Sequence, residues 1–214
     1  MIKKIKASKS EKILLIFLIF LTIFSFGFLF SIKSKCLFVD KINLENQNFE
    51  KKENIVLMEV ECGLVVIELN PQISPNAVKR FKLLINKNLY DNSAFYKVIE
   101  NTLVQAGDLE YGNINNINYF KVGSGSSGLG NLKSEIDENF DFTKGSIAMA
   151  RGDNLNSEDS EFFIILKDIP IYNGEYTPLG KVILGLDSLK KIKTGNKSNY
   201  VLRPDFIKSL KFID

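Results

Sequence analysis

Residues 55–78 read IVLMEVECGLVVIELNPQISPNAV, and this stretch decides the fold class. Ile55–Val60 and Leu64–Leu69 are β-branched, half-alternating runs separated by Glu61-Cys62-Gly63, the pattern of a β-hairpin. Ser74 and Pro75 then open a helix, with Ser as the N-cap and Pro at the first helical position. Ala77, Phe81, Leu84 and Ile85 share one face of that helix, so it covers a core, and Asn86-Lys87-Asn88 ends it. Further downstream, short strands are predicted at Phe95–Ile99, Leu103–Gln105, Ser146–Ala150, Phe162–Leu166, Leu179–Ile183 and Ile207–Ile213, with a second helix over Leu186–Lys193. Many short strands with turns between them, plus two helices, predict a closed or nearly closed β-barrel. Residues 54–214 are long enough to enclose its core.

Upstream of the hairpin the composition changes abruptly. Residues 13–32 read ILLIFLIFLTIFSFGFLFSI, twenty residues without a charge. As a helix they span ~30 Å, the thickness of the hydrocarbon core, and are expected to form a transmembrane signal anchor. Lys3, Lys4, Lys6, Lys9 and Lys12 make residues 1–12 a basic tail that stays cytoplasmic, which places the rest of the chain on the far side of the membrane. A cleaved signal peptide, which would leave the domain secreted or periplasmic, needs a shorter apolar run ending in small residues. Here the run ends in Phe30-Ser31-Ile32-Lys33, so an uncleaved anchor is expected. Residues 33–53 mix Lys, Glu, Asn and Gln with scattered Leu and Phe and read as a polar tether.

Several function classes fall away on composition. The 214 residues contain no His, which removes imidazole acid/base catalysis and every His-bearing zinc motif. With Cys36 and Cys62 alone there is no disulfide framework and no Cys-only zinc site. A single Cys36–Cys62 bridge is open, but Cys62, inside an apolar run, reads as a small buried hydrophobe. The net charge of +3 is concentrated near the N-terminus, and residues 54–214 are slightly acidic, so no nucleic-acid footprint is present. The acids Asp137, Glu138 and Asp141, and Glu158, Asp159 and Glu161, lack the spacing of a calcium loop and read as solvated loop charge; no metal is expected. Gly123-Ser-Gly-Ser-Ser-Gly128 spells G-x-G-x-x-G, but the polar segment after it opens no helix, so nucleotide binding is not expected.

Six segments in register resemble the cyclophilin family of peptidyl-prolyl isomerases. Val65–Leu69 with Pro71 and Ser74–Val78 resembles the family's opening strand and helix. Tyr90-Asp91 through Phe95-Tyr96-Lys97-Val98-Ile99 is similar to its "YDG…FHRVI" strand, and Gln105-Ala-Gly-Asp108 to "QGGD". Gly145–Arg151 resembles the "MAR" strand of bacterial members, Ser160–Ile164 resembles "SQFFI", and Tyr172–Val182 resembles "LDGKYTVFGKV". The resemblance implies a closed eight-stranded barrel capped by two α-helices, an active groove on its outer face, and rotation of X–Pro bonds in Pro-containing clients to assist folding. It implies no cofactor and no covalent intermediate, which suits a chain without His.

The same alignment of motifs names the site. Lys97 occupies the family's catalytic Arg position; it keeps the charge and loses the planar fork. Gln105 is its expected catalytic partner. Thr102 stands where the proline pocket has an aromatic floor, beside Leu103; Phe163 matches the other pocket aromatic and Tyr172 replaces a pocket-lining Leu. Tyr96 and Tyr176 stand where many relatives carry His. Ala150, Arg151 and Glu161 are expected to line the groove that binds client backbone. Glu161 replaces a Gln and is expected to pair with Lys97, directly or through water, which either fixes the cation or neutralises it. Lys97 and Thr102 also support an alternative, a cyclophilin-like module that binds Pro-containing segments without efficient isomerisation. In Phe162-Phe163, strand alternation sends one ring inward and the other to the groove.

Overall fold

The computed structural model describes residues 8–32, 36, 39, 41–195 and 200–213. The chain divides into two units, Met1–Phe38 and Val39–Asp214. In the first, helix α1 (Lys9–Ile32) contains a 20-residue apolar stretch, Lys9–Phe28, with mean hydropathy 2.1. Among the described residues it is the one helix long and apolar enough to cross a membrane. Lys3, Lys4, Lys6, Lys33 and Lys35, which bear on its orientation, lie outside the described residues.

The second unit is built on eight antiparallel strands: β1 (Ile55–Val60), β2 (Gly63–Leu69), β3 (Lys97–Ile99), β4 (Leu103–Ala106), β5 (Ser146–Met149), β6 (Phe162–Ile165), β7 (Pro178–Leu184) and β8 (Ser209–Phe212). They form one sheet in the order β3-β4-β6-β5-β7-β2-β1-β8. Register shifts at Val66/Ile67 and at Ile147/Ala148 break the ladders to β7, and such irregularities increase local twist and bend a sheet. Gly180 stands at the second, opposite Ile147: at φ +152° any Cβ there would lie 2.0 Å from the Glu68 carbonyl oxygen. The sheet curls as the barrel pattern predicts. Its two edge strands are linked through neighbouring segments, by the isolated bridges Ala94–Phe206 and Lys97–Tyr200, in place of a ladder.

Helix α2 (Pro75–Asn86) buries Ala77, Val78, Phe81, Leu84 and Ile85, the face expected from the spacing. Its cap differs. The Ser74 hydroxyl donates to the Pro178 carbonyl oxygen and makes no cap bond. The orphan amides are taken by Glu135, whose carboxylate accepts from Asn76 N at 2.9 Å, Ala77 N at 2.9 Å and Asn76 Nδ2 at 2.7 Å. An anion at this end also complements the helix dipole. The second helix, α3 (Leu186–Leu189), is a single turn, shorter than predicted. Ile192 N already bonds Leu189 O at 3.2 Å, and Lys193 N turns to the Asp205 carboxylate at 2.6 Å, which leaves no donor to continue it.

Inside the curl, Phe81, Tyr90 and Phe162 meet edge to face or tilted with centroids 5.0–5.4 Å apart, at the centre of the main core. Such pairs add to the area term of burial. Two expectations are corrected in this unit. Cys62 lies in the β1–β2 turn, only half-buried, and both Cys36 and Cys62 are disulfide-bonded, so Cys62 is not a buried hydrophobe. The stretch 41–53 is more than a tether, because Leu44 and Phe49 pack against Ile55, Leu57 and Val66 on the outer face of the sheet.

Candidate active site

The β3–β4 hairpin sets Lys97 opposite Gln105, Val98 opposite Val104 and Ile99 opposite Leu103. Alternation sends Val98 and Val104 into the core, so Lys97 and Gln105 stand side by side on the outer face. The register continues outward from Gln105 to Phe163 on β6 and from Phe163 to Ala148 on β5. One transverse row of the sheet therefore carries a cation, a carboxamide and an aromatic ring. Phe162 points into the core and Phe163 to the outer face, as the alternation predicts.

A cavity of about 540 Å³ opens over the Lys97–Gln105 end of this row. Of the expected site residues it is lined by Tyr96, Lys97, Gln105, Ala150, Arg151 and Glu161. Leu103, Phe163, Tyr172 and Tyr176 gather in an adjoining apolar cluster. In that cluster the Phe163 ring centroid is 5.0 Å from Tyr176 and 5.7 Å from Tyr172. Arg151 spreads over Tyr176, its guanidinium carbon 5.1 Å from the ring centroid, and donates to the Glu175 carbonyl oxygen at 3.2 Å. Thr102 is apart from both groups of residues: it sits in the β3–β4 turn and its hydroxyl donates to Glu100 O at 3.0 Å.

Glu161 does not pair directly with Lys97, and no ion pair within 4 Å joins them among the described residues. Its carboxylate accepts instead from the Tyr96 hydroxyl and from Gln105 Nε2 at 3.1 Å, while Gln105 Nε2 also donates to Tyr96 Oη. Burial pushes the Glu161 carboxyl up to about 7; Asp108 adds to this, and Tyr96, Gln105 and Lys97 oppose it. Burial likewise raises Tyr96 well above the ordinary phenol range, with Glu161 second in effect. The expectation of solvated loop charge fails for the whole second acidic cluster, since Glu158 and Asp159 are buried as well. Each has donors close by: Ser134 Oγ reaches Glu158 Oε1 at 3.0 Å, and Arg80 and Ser127 reach Asp159. A buried carboxylate persists where such partners replace water.

The glycine-rich segment 123–128 forms one wall of the cavity and is held by carboxylates of this chain. Asp108 accepts from Gly123 N at 2.6 Å and Gly125 N at 3.1 Å, and Asp159 accepts from Ser127 N at 2.5 Å. The amides that would cradle a phosphate are already committed to internal anions, so this G-x-G-x-x-G is no nucleotide loop. Gly125 is needed because a Cβ there would fall 2.1 Å from Asp108 Oδ1.

Two residues at the site escaped the sequence reading. Tyr200 lines the cavity, bridges to Lys97 and lies with its ring centroid 6.0 Å from that of Tyr96. Nothing local marks it. Phe142 is buried in the apolar cluster, stacked on Phe163 at 6.4 Å and edge-on to Tyr172 and Tyr176. The alternation Phe140-Asp141-Phe142 just ahead of β5 was its available signal.

Comparison with known proteins places the fold in a family. The family model described as cyclophilin type peptidyl-prolyl cis-trans isomerase/CLD matches residues 55–212. A probable peptidyl-prolyl cis-trans isomerase of Brucella suis biovar 1 is 37% identical over 158 residues, 72% of this chain and 80% of its own. A peptidyl-prolyl cis-trans isomerase of Acinetobacter baylyi is 31% identical over 151 residues, 68% of this chain and 75% of its own. The crystal structure of a cyclophilin type isomerase from Cryptosporidium parvum, in the presence of the dipeptide Ala-Pro, superposes with a TM-score of 0.64 at 26% identity. It covers 75% of this chain and 99% of the other.

Proposed function

We propose a site mechanism from one premise: the chain belongs to the cyclophilin family and is a peptidyl-prolyl cis-trans isomerase. An X–Pro bond turns slowly because amide resonance sets a barrier of ~18–20 kcal/mol. In the twisted amide the prolyl nitrogen regains its lone pair, so a cation aimed at that nitrogen stabilises the transition state more than either planar ground state. Lys97 supplies that cation and Gln105, its cross-strand neighbour, holds it. The proline ring rests on the apolar cluster of Leu103, Phe163, Tyr172 and Tyr176. Client backbone runs past Tyr96, Ala150, Arg151 and Glu161, and Thr102, in the β3–β4 turn, takes no part. The observation that carries this reading is the transverse row Lys97–Gln105–Phe163, which sets the charge beside the ring surface. The Ala-Pro dipeptide accompanying the related structure supports Pro-containing clients for this chain.

The test is catalysis of prolyl isomerisation by the full chain in detergent, beside Lys97→Ala and Lys97→Arg. Losing a well-placed charged group costs about 1.5–3 kcal/mol, so Lys97→Ala should slow the reaction roughly ten- to hundredfold, and Lys97→Arg should retain it. Equal rates for wild type and Lys97→Ala would remove Lys97 from the mechanism. Wild type that binds a proline peptide without accelerating isomerisation would favour the binding-module reading.

The domain's location belongs to the same proposal. Five lysines precede the uncharged run 13–32, and both cysteines are disulfide-bonded, a state typical of oxidising compartments. Both favour a single-pass anchor with a cytoplasmic N-terminus and the isomerase domain outside. Protease added to intact spheroplasts should digest the domain; digestion only after lysis would reverse the orientation.

A further inference from the structure

We propose that Glu161 is a positioning residue for the isomerase: with Tyr96 it takes the N–H groups of Gln105, so that the carboxamide turns its oxygen outward toward Lys97. The inference rests on reading Lys97 and Gln105 as the reacting pair. Its basis is the closed triad in which Gln105 Nε2 donates to Tyr96 Oη and to Glu161 Oε2, and Tyr96 Oη donates to Glu161.

The orientation follows from the inventory of donors and acceptors. An ionised carboxylate only accepts, and the Tyr96 hydroxyl has spent its single proton on it. Were Gln105 reversed, its oxygen would face two oxygens with no proton between them. The nitrogen must therefore point inward while Glu161 is charged. What remains is Oε1, an acceptor on a side chain directly opposite Lys97 across the β3–β4 ladder. An acceptor steadies an ammonium group over the cavity; an outward amide nitrogen would repel it. Glu161 thus acts on Lys97 through Gln105, without the direct ion pair that the sequence suggested.

This arrangement is conditional on the charge of Glu161. The groups facing it are Tyr96 and Lys97 on the β3 side, Gln105 on β4 and Asp108 beyond β4; Tyr200 touches Tyr96, and Arg151 lines the same cavity. Asp108 opposes ionisation and Lys97 favours it, with burial the dominant effect. A protonated Glu161 becomes a donor, the inward oxygen becomes tolerable, and Gln105 is free to reverse. Because the carboxyl titrates at about 7, the acid side of neutrality is where the hold on Lys97 is released.

The experiment compares the full chain in detergent with Glu161→Gln and Glu161→Leu, reading kcat and KM against pH and the Gln105 side-chain amide protons by NMR. Wild type should lose kcat/KM as pH falls through the Glu161 titration. Glu161→Gln still offers an acceptor, so it should keep most of the activity at alkaline pH and lose the acid limb. Glu161→Leu offers none and should lose about tenfold in kcat, in addition to any change in KM from its place beside the client groove. The Gln105 amide protons should be slowed in exchange in wild type and follow the same titration, and both properties should vanish in Glu161→Leu. An acid limb that persists in Glu161→Gln, or a Glu161→Leu enzyme as fast as wild type, overturns the proposal. If Lys97→Ala shows the reacting pair to be misassigned, the amide protons still decide the triad: a Gln105 amide indifferent to pH and to Glu161→Leu refutes it independently.

Discussion

Asp108→Asn tests whether the wall of the active cavity is held by one buried carboxylate. Asp108 is fully buried, with Oδ1 accepting from Glu110 N at 3.1 Å and Tyr111 N at 2.8 Å. Oδ2 accepts from Gly123 N at 2.6 Å and Gly125 N at 3.1 Å. Asn has the same shape but one accepting oxygen. It can keep the local pair at 110–111 and must then turn an NH₂ group on the two glycine amides, or the reverse. Two charge-assisted bonds are lost and donors face donors, which costs about 3–5 kcal/mol. For a domain of this size each kcal/mol lowers Tm by about 2–4 °C, so a global effect would be about 10 °C. If the glycine-rich segment peels away instead, the Tm shift is smaller, and the cost shows as lost amide-exchange protection at Gly123 and Gly125 while the β-sheet amides keep theirs. KM should rise in either case, since a wall of the cavity has moved. Removing the Asp108 charge should also shift the Glu161 titration downward, because Asp108 is one of the groups that raise it. The reasoning is refuted if Tm stays within about 1 °C of wild type and both glycine amides remain protected.

Two further outcomes follow from buried and capping carboxylates. Glu135→Ala removes three hydrogen bonds from the start of α2 and should cost about 2 kcal/mol, read as a lower thermal midpoint with activity per folded molecule unchanged. Glu161 loses its proton near 4.5 when unfolded and at about 7 when folded, so the folded state binds protons more tightly across that interval. Stability should therefore decline as pH rises from about 4.5 to about 7 and then level off, by at most about 3 kcal/mol from this group. Urea midpoints at about pH 5 and pH 8 should differ in wild type and converge in Glu161→Gln; midpoints that move alike in both proteins would assign the pH dependence to other groups.

What could be read in advance was whatever depends on neighbours along the chain. Lys97 and Gln105 are eight residues apart around a short turn, and strand alternation alone puts them on one face. The same alternation separated Phe162 from Phe163. What escaped was whatever depends on contacts between distant segments. Ser74 has the composition of an N-cap, yet its hydroxyl serves Pro178, and the cap comes from Glu135, 59 residues after Asn76. Local propensity names residues able to cap; only the packed fold decides which one is in reach. Glu158, Asp159 and Glu161 look like solvated charge because acidic residues in a loop usually are, and burial was invisible until Arg80, Ser127, Ser134, Tyr96 and Gln105 were brought against them. The direct Lys97–Glu161 pair failed for the same reason. Opposite charges near one groove suggest an ion pair, but Tyr96 and Gln105 reach the carboxylate first and leave the ammonium over the cavity. A carboxylate that satisfies itself on neutral donors keeps its field near Lys97 without neutralising it by contact, and that separation is what the role proposed for Lys97 requires of a basic residue beside an acid.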